Sequence, residues 1–315
     1  MSLWSGLPGA GDVLTVSNHH DLKTALSGIR GEVVFDAPLA ELTSLRIGGP
    51  ADALVSPEDV HDVCRIVRQA QAARIPVMVL GGTNLLVQDG GIRGMVLSLA
   101  KLATIEKEDD RLVFAEAGVR MPTLLGFAVH HALSGLEWAA GIPGTVGGAV
   151  VMNAGTKLGE MQNCLEAVQL VDPEGRIAAC PATDLSFAYR SVSLPDGVVV
   201  GAWLRLTPAS RETIESRTKS YLQYRKQSQP LSQPNAGSVF KNPRGTTAGR
   251  LIEEAGLKGY RVGDAQVSIK HANFIVNLGH ARSADVMRLI ETIRQAVFSR
   301  TGIRLELEWK VVGES

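Results

Sequence analysis

The chain has 315 residues, 45% hydrophobic and 20% charged, with Lys plus Arg and Asp plus Glu at 32 each and a formal net charge of zero. That length is enough for two domains, each with its own core. Balanced charge excludes the basic footprint of a nucleic-acid or anionic-membrane binder, so an anionic ligand must be held by local groups. Cys64, Cys164 and Cys180 form no C-x-x-C pair, so no zinc knuckle, other metal site or disulfide framework is expected. The first residues lack the basic start and apolar run of a signal peptide, and no apolar stretch reaches the roughly 20 residues that span a bilayer. A soluble, cytoplasmic protein with reduced thiols is expected.

Residues 1–44 read as an N-terminal arm; Gly9-Ala10-Gly11 lacks the third glycine and the preceding strand of a dinucleotide fingerprint. Leu45 to Pro50 reads as a short strand entering a tight turn. Ser56-Pro57-Glu58-Asp59 starts a helix, with Ser56 as cap and Val60, Val63, Ile66, Val67 and Ala70 on one apolar face. Val77 to Leu80 is a short buried strand that ends at Gly81-Gly82-Thr83-Asn84, and Leu85 to Val87 resumes strand character. Such a turn exposes several backbone N–H groups where no Cβ obstructs, which suits a phosphate or pyrophosphate; it suits a plain hairpin turn equally well.

Leu112 to Ala117 is a further strand, and a helix is expected from Thr123 to Leu133. Five of the fifteen residues from Gly141 to Gly155 are glycine, among Val, Ile and Met and almost without charge. That composition fits backbone packed against a flat ligand or another backbone, and without G-K-[ST] it is no P-loop. Asp172-Pro173-Glu174-Gly175 joins two strands as a hairpin, and Val198 to Leu206 is another strand. A charged helix runs from Pro208 to about Lys226, with the domain boundary near 209. Asn235 to Pro243 then packs a hydroxyl, an ammonium and amides between glycine and proline. A helix from Thr247 to Ala255 follows, then strands Ala265–Ile269 and Asn273–Asn277, and a long helix capped by Ser283. The alternation from Ile303 to Val311 predicts a half-buried strand with Glu306 and Glu308 on one polar face, and periodicity does not choose between them.

Four ordered motifs carry a family resemblance over about Leu45 to Gly313. They are Arg46-Ile47-Gly48-Gly49-Pro50-Ala51-Asp52, Gly141-Ile142-Pro143-Gly144-Thr145-Val146-Gly147-Gly148, Tyr189-Arg190 and Gly237-Ser238-Val239-Phe240-Lys241-Asn242-Pro243. The chain resembles the UDP-N-acetylenolpyruvoylglucosamine reductase family of flavoenzymes, in its shorter, type II form. It departs from the family pattern at Thr83, where serine is commoner, and at Trp309, where a small β-branched residue is usual.

The resemblance implies an α+β fold. Residues 45–209 would form an FAD-binding domain of the vanillyl-alcohol-oxidase (PCMH) type in two subdomains, and 210–315 a C-terminal α+β substrate-binding domain. FAD, held without a covalent link, would lie along Arg46, Gly81, Gly82, Thr83, Asn84 and Leu85 and along Gly141, Ile142, Gly144, Thr145, Gly147, Gly148 and Ala149. NADPH would be the hydride donor. A UDP-sugar enolpyruvyl ether would be the substrate, with Tyr189, Arg225, Lys241 and Asn242 as its contacts. His271 and Asn273 are candidates to face the site from between two strands of the substrate domain; a lone histidine there is more often structural, and His271 is kept out of the catalytic set. No nucleic-acid or membrane partner is implied, and a monomer is expected.

The chemistry asks for a hydride at the terminal alkene carbon and a proton at the carbon bearing the carboxylate. No side chain supplies hydride, so a cofactor must. The implied catalytic residues are Arg190 as a permanent cation on the substrate carboxylate, Glu308 assisting on that carboxylate, and Ser238 as proton donor. Two other readings compete: a flavin-dependent oxidase of another sugar or alcohol, and a non-catalytic nucleotide-sugar binding protein.

Overall fold

A computed structural model of the chain describes residues 19–315. Gly9-Ala10-Gly11 and the apparent lack of a leader lie outside the described residues. The described residues separate into two compact units, each built from discontinuous stretches: residues 19–35, 52–81 and 94–222, and residues 36–51, 82–93 and 223–315. Both mix helices with mainly antiparallel strands, so the α+β class is borne out.

The stretch read as an N-terminal arm supplies a helix, His19–Ala25, and a strand, Glu32–Pro38. That strand edges a four-stranded sheet ordered Glu32–Pro38, Pro50–Ser56, Ile92–Leu97, Val77–Val79. The helix Val60–Ala73 buries Val63, Ile66, Val67 and Ala70 as its 3.6-residue spacing requires. Its cap is Asp59, whose carboxylate accepts the Asp62 N–H, and not Ser56. The larger sheet of the first unit has five strands, ordered Ile177–Pro181, Leu165–Val171, Val198–Arg205, Leu112–Glu116 and Ile105–Lys107. The hairpin through Gly175 (φ +75°) is formed as its turn residues dictate. The helix expected from Thr123 runs instead from Met121 to His130. Cys64 and Cys164 are buried, Cys180 is half-buried, and all are free; burial pushes the Cys164 thiol up to about 12.

The second unit has its own core, centred on Phe240, Leu86, Val286, Leu289, Ile290 and Ile293. Its three-stranded antiparallel sheet is Arg261–Val262, Ala265–Val267, Ile275–Asn277. The helix Ser283–Thr301 packs on that sheet through the predicted apolar face. Ser283 is the first residue of this helix and not its cap. The first N–H groups, of Ser283 and Ala284, donate to the Asp89 carboxylate from a distant loop.

Two expected strands are not formed. Leu45 to Gly49 is a turn and loop, and a strand begins only at Pro50: Arg46 adopts φ 55°, and the Ile47 N–H donates to the Thr43 hydroxyl at 3.3 Å. Gly49 is required there, because a Cβ would lie 2.1 Å from the Asp89 carbonyl oxygen. At the other end, the alternating Ile303–Val311 run is mostly irregular. Only Lys310–Val312 is a strand, pairing in parallel with Leu85–Val87. Trp309 is nevertheless buried, as the alternation predicts.

Candidate active site

The serine segment is pinned by its neighbours and not by a helix or a long strand. The Asn235 side chain accepts the Gly237 N–H at 3.0 Å, an Asx turn that lets Gly237 take φ +82°. Past Ser238, the Val239 N–H donates to the Asn273 carbonyl at 2.9 Å. The buried Asn273 side chain then closes on Phe240 from both sides, accepting its N–H at 3.0 Å and donating to its carbonyl at 2.8 Å. A buried amide that satisfies both backbone polar groups of one residue locks the local backbone.

Opposite runs the segment that carries the two acids. Phe240 and Leu307 bridge in antiparallel fashion. The Glu308 N–H donates to the Val239 carbonyl at 2.9 Å, and the Lys241 N–H donates to the Glu306 carbonyl at 2.9 Å. Ser238 and Glu308 are therefore brought together within the second unit by backbone register. The two acids differ sharply in environment. Glu306 is 77% exposed and lies 3.6 Å from the Lys241 ammonium, whereas Glu308 is half-buried. Two residues on, Lys310 is also half-buried, and burial pushes its ammonium below the ordinary lysine value.

Ser238 lines a cavity of about 510 Å³ together with Asn242, Thr247, Lys270, His271 and Asn273. Gly249 also lines it; a Cβ there would lie 3.1 Å from His271 Cε1. The His271 Nδ1 accepts the Asn273 N–H at 3.2 Å, so that nitrogen carries no proton. Burial holds the imidazole below its ordinary value, with Lys258 adding to the effect. Of the sequence-derived substrate contacts, Asn242 lines this cavity, and its side-chain oxygen accepts the Ala248 N–H at 3.1 Å. Lys241 faces Glu306 instead. Arg225 bonds Gln229 at 3.0 Å, and burial lowers its guanidinium to about 10. Lys270 and Thr247 carried no sequence signal beyond a strand connection and a helix start.

Arg190 belongs to the first unit. It sits at the tip of a hairpin in which Ser186–Ala188 pairs with Ser191–Ser193, so Tyr189 and Arg190 alone form the loop. Its φ of 57° is left-handed, a conformation costing about 1–2 kcal/mol for a residue with a side chain. Such strain persists only where the surroundings impose it. Here the buried Asn153 donates to the Ala188 carbonyl at 3.3 Å, at the base of the loop. The guanidinium lies 5.0 Å from the Tyr189 ring centroid, within cation–π range.

The first unit also holds the second glycine segment and Gly81. Gly141 and Gly144 take φ +73° and +99°, and Thr145 caps the short helix Val146–Val151 by accepting the Gly148 N–H. This helix packs against the central strand Val198–Arg205. A Cβ on Gly148 would lie 3.8 Å from the Gly81 Cα, and one on Gly81 would lie 3.9 Å from the Gly148 Cα. Two glycine-rich segments thus face each other with bare backbone, a cradle that side chains would fill. That Cβ-free surface, which lets a ligand approach the backbone closely, fits a dinucleotide cofactor. In the second unit, Gly82 (φ +73°) and Asn84 (φ 55°) continue the first of these turns, and Arg46 is exposed.

Comparison with known proteins agrees with this construction. Residues 51–181 match the family described as FAD binding domain, and residues 229–312 match UDP-N-acetylenolpyruvoylglucosamine reductase, C-terminal domain. The chain is 46% identical over 294 residues to the UDP-N-acetylenolpyruvoylglucosamine reductase of Syntrophus aciditrophicus, spanning 91% of this chain and 94% of that one. To the protein of the same name from Heliobacterium modesticaldum it is 45% identical, spanning 91% and 92%. The crystal structure of UDP-N-acetylenolpyruvylglucosamine reductase from Thermus caldophilus superposes with a TM-score of 0.78 at 42% identity, over 90% of this chain and 99% of that one. A match of this depth along nearly the whole length, with both domain families in order, means that the chain belongs to the UDP-N-acetylenolpyruvoylglucosamine reductase family.

Proposed function

We propose that this protein reduces the enolpyruvyl ether of UDP-N-acetylglucosamine to the lactyl ether of UDP-N-acetylmuramate, with non-covalent FAD and with NADPH as hydride donor. The observation that carries the reading is the pairing of Ser238, on the wall of the 510 Å³ cavity, with Glu308, whose N–H bonds the residue after that serine.

When bound, FAD supplies a hydride-transfer centre between NADPH and the terminal carbon of the alkene. The residues of this chain manage the charge and the proton. Hydride addition drives negative charge onto the substrate carboxylate. Arg190 is the permanent cation for it, and a preorganised cation in a water-poor site is the strongest single device for such charge. Glu308 assists on the same carboxylate. Ser238 then gives its hydroxyl proton to the carbon bearing the carboxylate, completing addition of hydride and proton across the double bond. A serine hydroxyl is a weak acid, and it serves here because the enolate-like carbon it protonates is strongly basic. Among the substrate contacts Asn242 has the best support, since it lines the serine's cavity. Tyr189, Arg225 and Lys241 complete the proposed contact set, and the enzyme is proposed to act as a cytoplasmic monomer.

The test separates the two half-reactions in rapid-mixing experiments. Ser238→Ala leaves flavin reduction by NADPH close to wild type and slows flavin reoxidation by the enolpyruvyl substrate by about 10²–10⁴-fold. Equal losses in both half-reactions would remove the proton-donor role. A colourless protein that does not take up FAD would remove the flavoenzyme reading altogether.

A further inference from the structure

Asn84 sits in the glycine turn assigned above to the cofactor, yet one face of its side chain serves something else. Its Nδ2 donates to the Glu308 carbonyl at 3.1 Å, across 224 residues of sequence. Its own carbonyl accepts the Lys310 N–H at 3.1 Å, and from there the parallel ladder Leu85–Val87 with Lys310–Val312 begins. On the other side of Glu308, its N–H donates to the Val239 carbonyl. Both backbone polar groups of Glu308 are therefore committed, the N–H to the serine segment and the C=O to the glycine turn. Asn84 makes this second link from φ 55°, a left-handed conformation that asparagine tolerates better than most residues.

We infer that Asn84 is a positioning residue for Glu308, through which occupation of the glycine turn by the cofactor's phosphates and placement of the Glu308 carboxyl are coupled. The inference rests on the reading of Glu308 as catalytic and of the turn as part of the cofactor site. Any tilt of the turn moves the Glu308 carbonyl with it, while the N–H remains tied to the residue after Ser238. A shift of the peptide thus changes where the acid stands relative to the serine hydroxyl. Misplacement of an acting group by about 1 Å costs on the order of 10²-fold in rate, so a single hydrogen bond at this point has leverage out of proportion to its own strength.

Two substitutions isolate the link. Asn84→Gly keeps the left-handed backbone without the amide, and Asn84→Asp keeps shape and turn tolerance but has no N–H to give. In the wild type, adding FAD slows hydrogen exchange of the amides of residues 306–310, and in both variants that FAD-linked protection is lost. In FAD-saturated variants, reoxidation by the enolpyruvyl substrate falls about ten-fold further than reduction by NADPH. Retained FAD-linked protection in either variant, or equal losses in the two half-reactions, overturns the inference. Glu308→Ala separates the two levels of the argument. If it blocks reoxidation while the Asn84 variants do not, the coupling alone is wrong. If it leaves reoxidation intact, the catalytic reading of Glu308 fails, and the inference fails with it.

Discussion

Asp89 and Ser283 exchange two hydrogen bonds across 194 residues of sequence: the Asp89 N–H donates to the Ser283 hydroxyl and the Ser283 N–H to the Asp89 carboxylate, each at 2.9 Å. Beside the capping box on its own flank, where Asp285 accepts the Arg282 N–H at 3.1 Å, the long helix Ser283–Thr301 thus receives a second cap from a loop. Asp89→Ala removes that cap and leaves the Ser283 and Ala284 N–H groups short of an acceptor, lowering unfolding free energy by about 1–2 kcal/mol in denaturant titration. Burial raises the Asp89 carboxyl, but the donors from Ser283 and Ala284 outweigh it and hold the group below its ordinary 3.8. A depressed carboxylate stabilises above its unfolded value. The Asp89 contribution is therefore complete above about pH 4 and fades as pH falls through the lower folded value, a slope absent from Asp89→Asn.

The two acids near the serine give opposite expectations. Glu306→Gln touches a side chain that is 77% exposed and pairs with Lys241 at 3.6 Å. Its effect on unfolding free energy is within about 0.5 kcal/mol, and the rate of reoxidation by substrate changes little. Glu308→Ala lowers that rate on the order of 10²-fold with little change in thermal midpoint. Reversal of this order in rapid-mixing traces would move the acid to Glu306.

Adjacent glycines in the second glycine segment also separate structure from ligand. A Cβ on Gly147 would meet the Ala117 Cβ at 2.9 Å, so Gly147→Ala overpacks the core and costs about 1–3 kcal/mol. A Cβ on Gly148 meets only ordinary contacts, at 3.6 and 3.8 Å. Gly148→Ala keeps or slightly improves the stability of the flavin-free protein, gaining up to about 1 kcal/mol from helix propensity. It also fills the bare surface opposite Gly81, and FAD affinity by fluorescence titration falls about ten-fold or more. A variant that binds FAD normally would take Gly148 out of the cofactor site.

His271 contributes a pH slope of the opposite origin. Its folded value lies below its ordinary 6.5, because burial and the nearby Lys258 disfavour the imidazolium. The unfolded chain then binds a proton that the folded chain does not. Stability therefore drops as pH falls through about 6.5 and levels off below the folded value. His271→Gln flattens chemical-denaturation midpoints across this window, and an unchanged slope would show that the imidazole is not desolvated in solution.

Much of the local structure was legible. The helical faces of Val63–Ala70 and Val286–Val297, the hairpin at Gly175, the helix that begins at about Thr247 and the inward side of Trp309 all follow from local spacing and turn chemistry. What was not legible depends on partners far away in sequence. Arg46 to Gly49 looks extended by composition, but Asp89 and Val87 crowd its glycines and force a loop. The alternation at 303–311 has a ladder partner only over its last residues, because Leu85–Val87 is just three residues long. Ser56 and Ser283 are good capping residues by type, yet Asp59 and Asp89 hold the N–H groups. For the site, the residue types were readable from motif resemblance. The environment that distinguishes Glu308 from Glu306, and the cavity shared by Ser238 and His271, came only with the backbone pairing.

The parallel ladder between Leu85–Val87 and Lys310–Val312 has a consequence for synthesis. The glycine turn emerges early from the ribosome, but the strand that registers it comes more than two hundred residues later. Residues 94–222, all in the first unit, are made in the interval and can collapse onto 52–81 first. The second unit must wait for a long loop closure, the slow kind of contact in folding. Chains arrested before Lys310 would then carry a folded first unit and an unzipped second one, a ready substrate for proteolytic quality control.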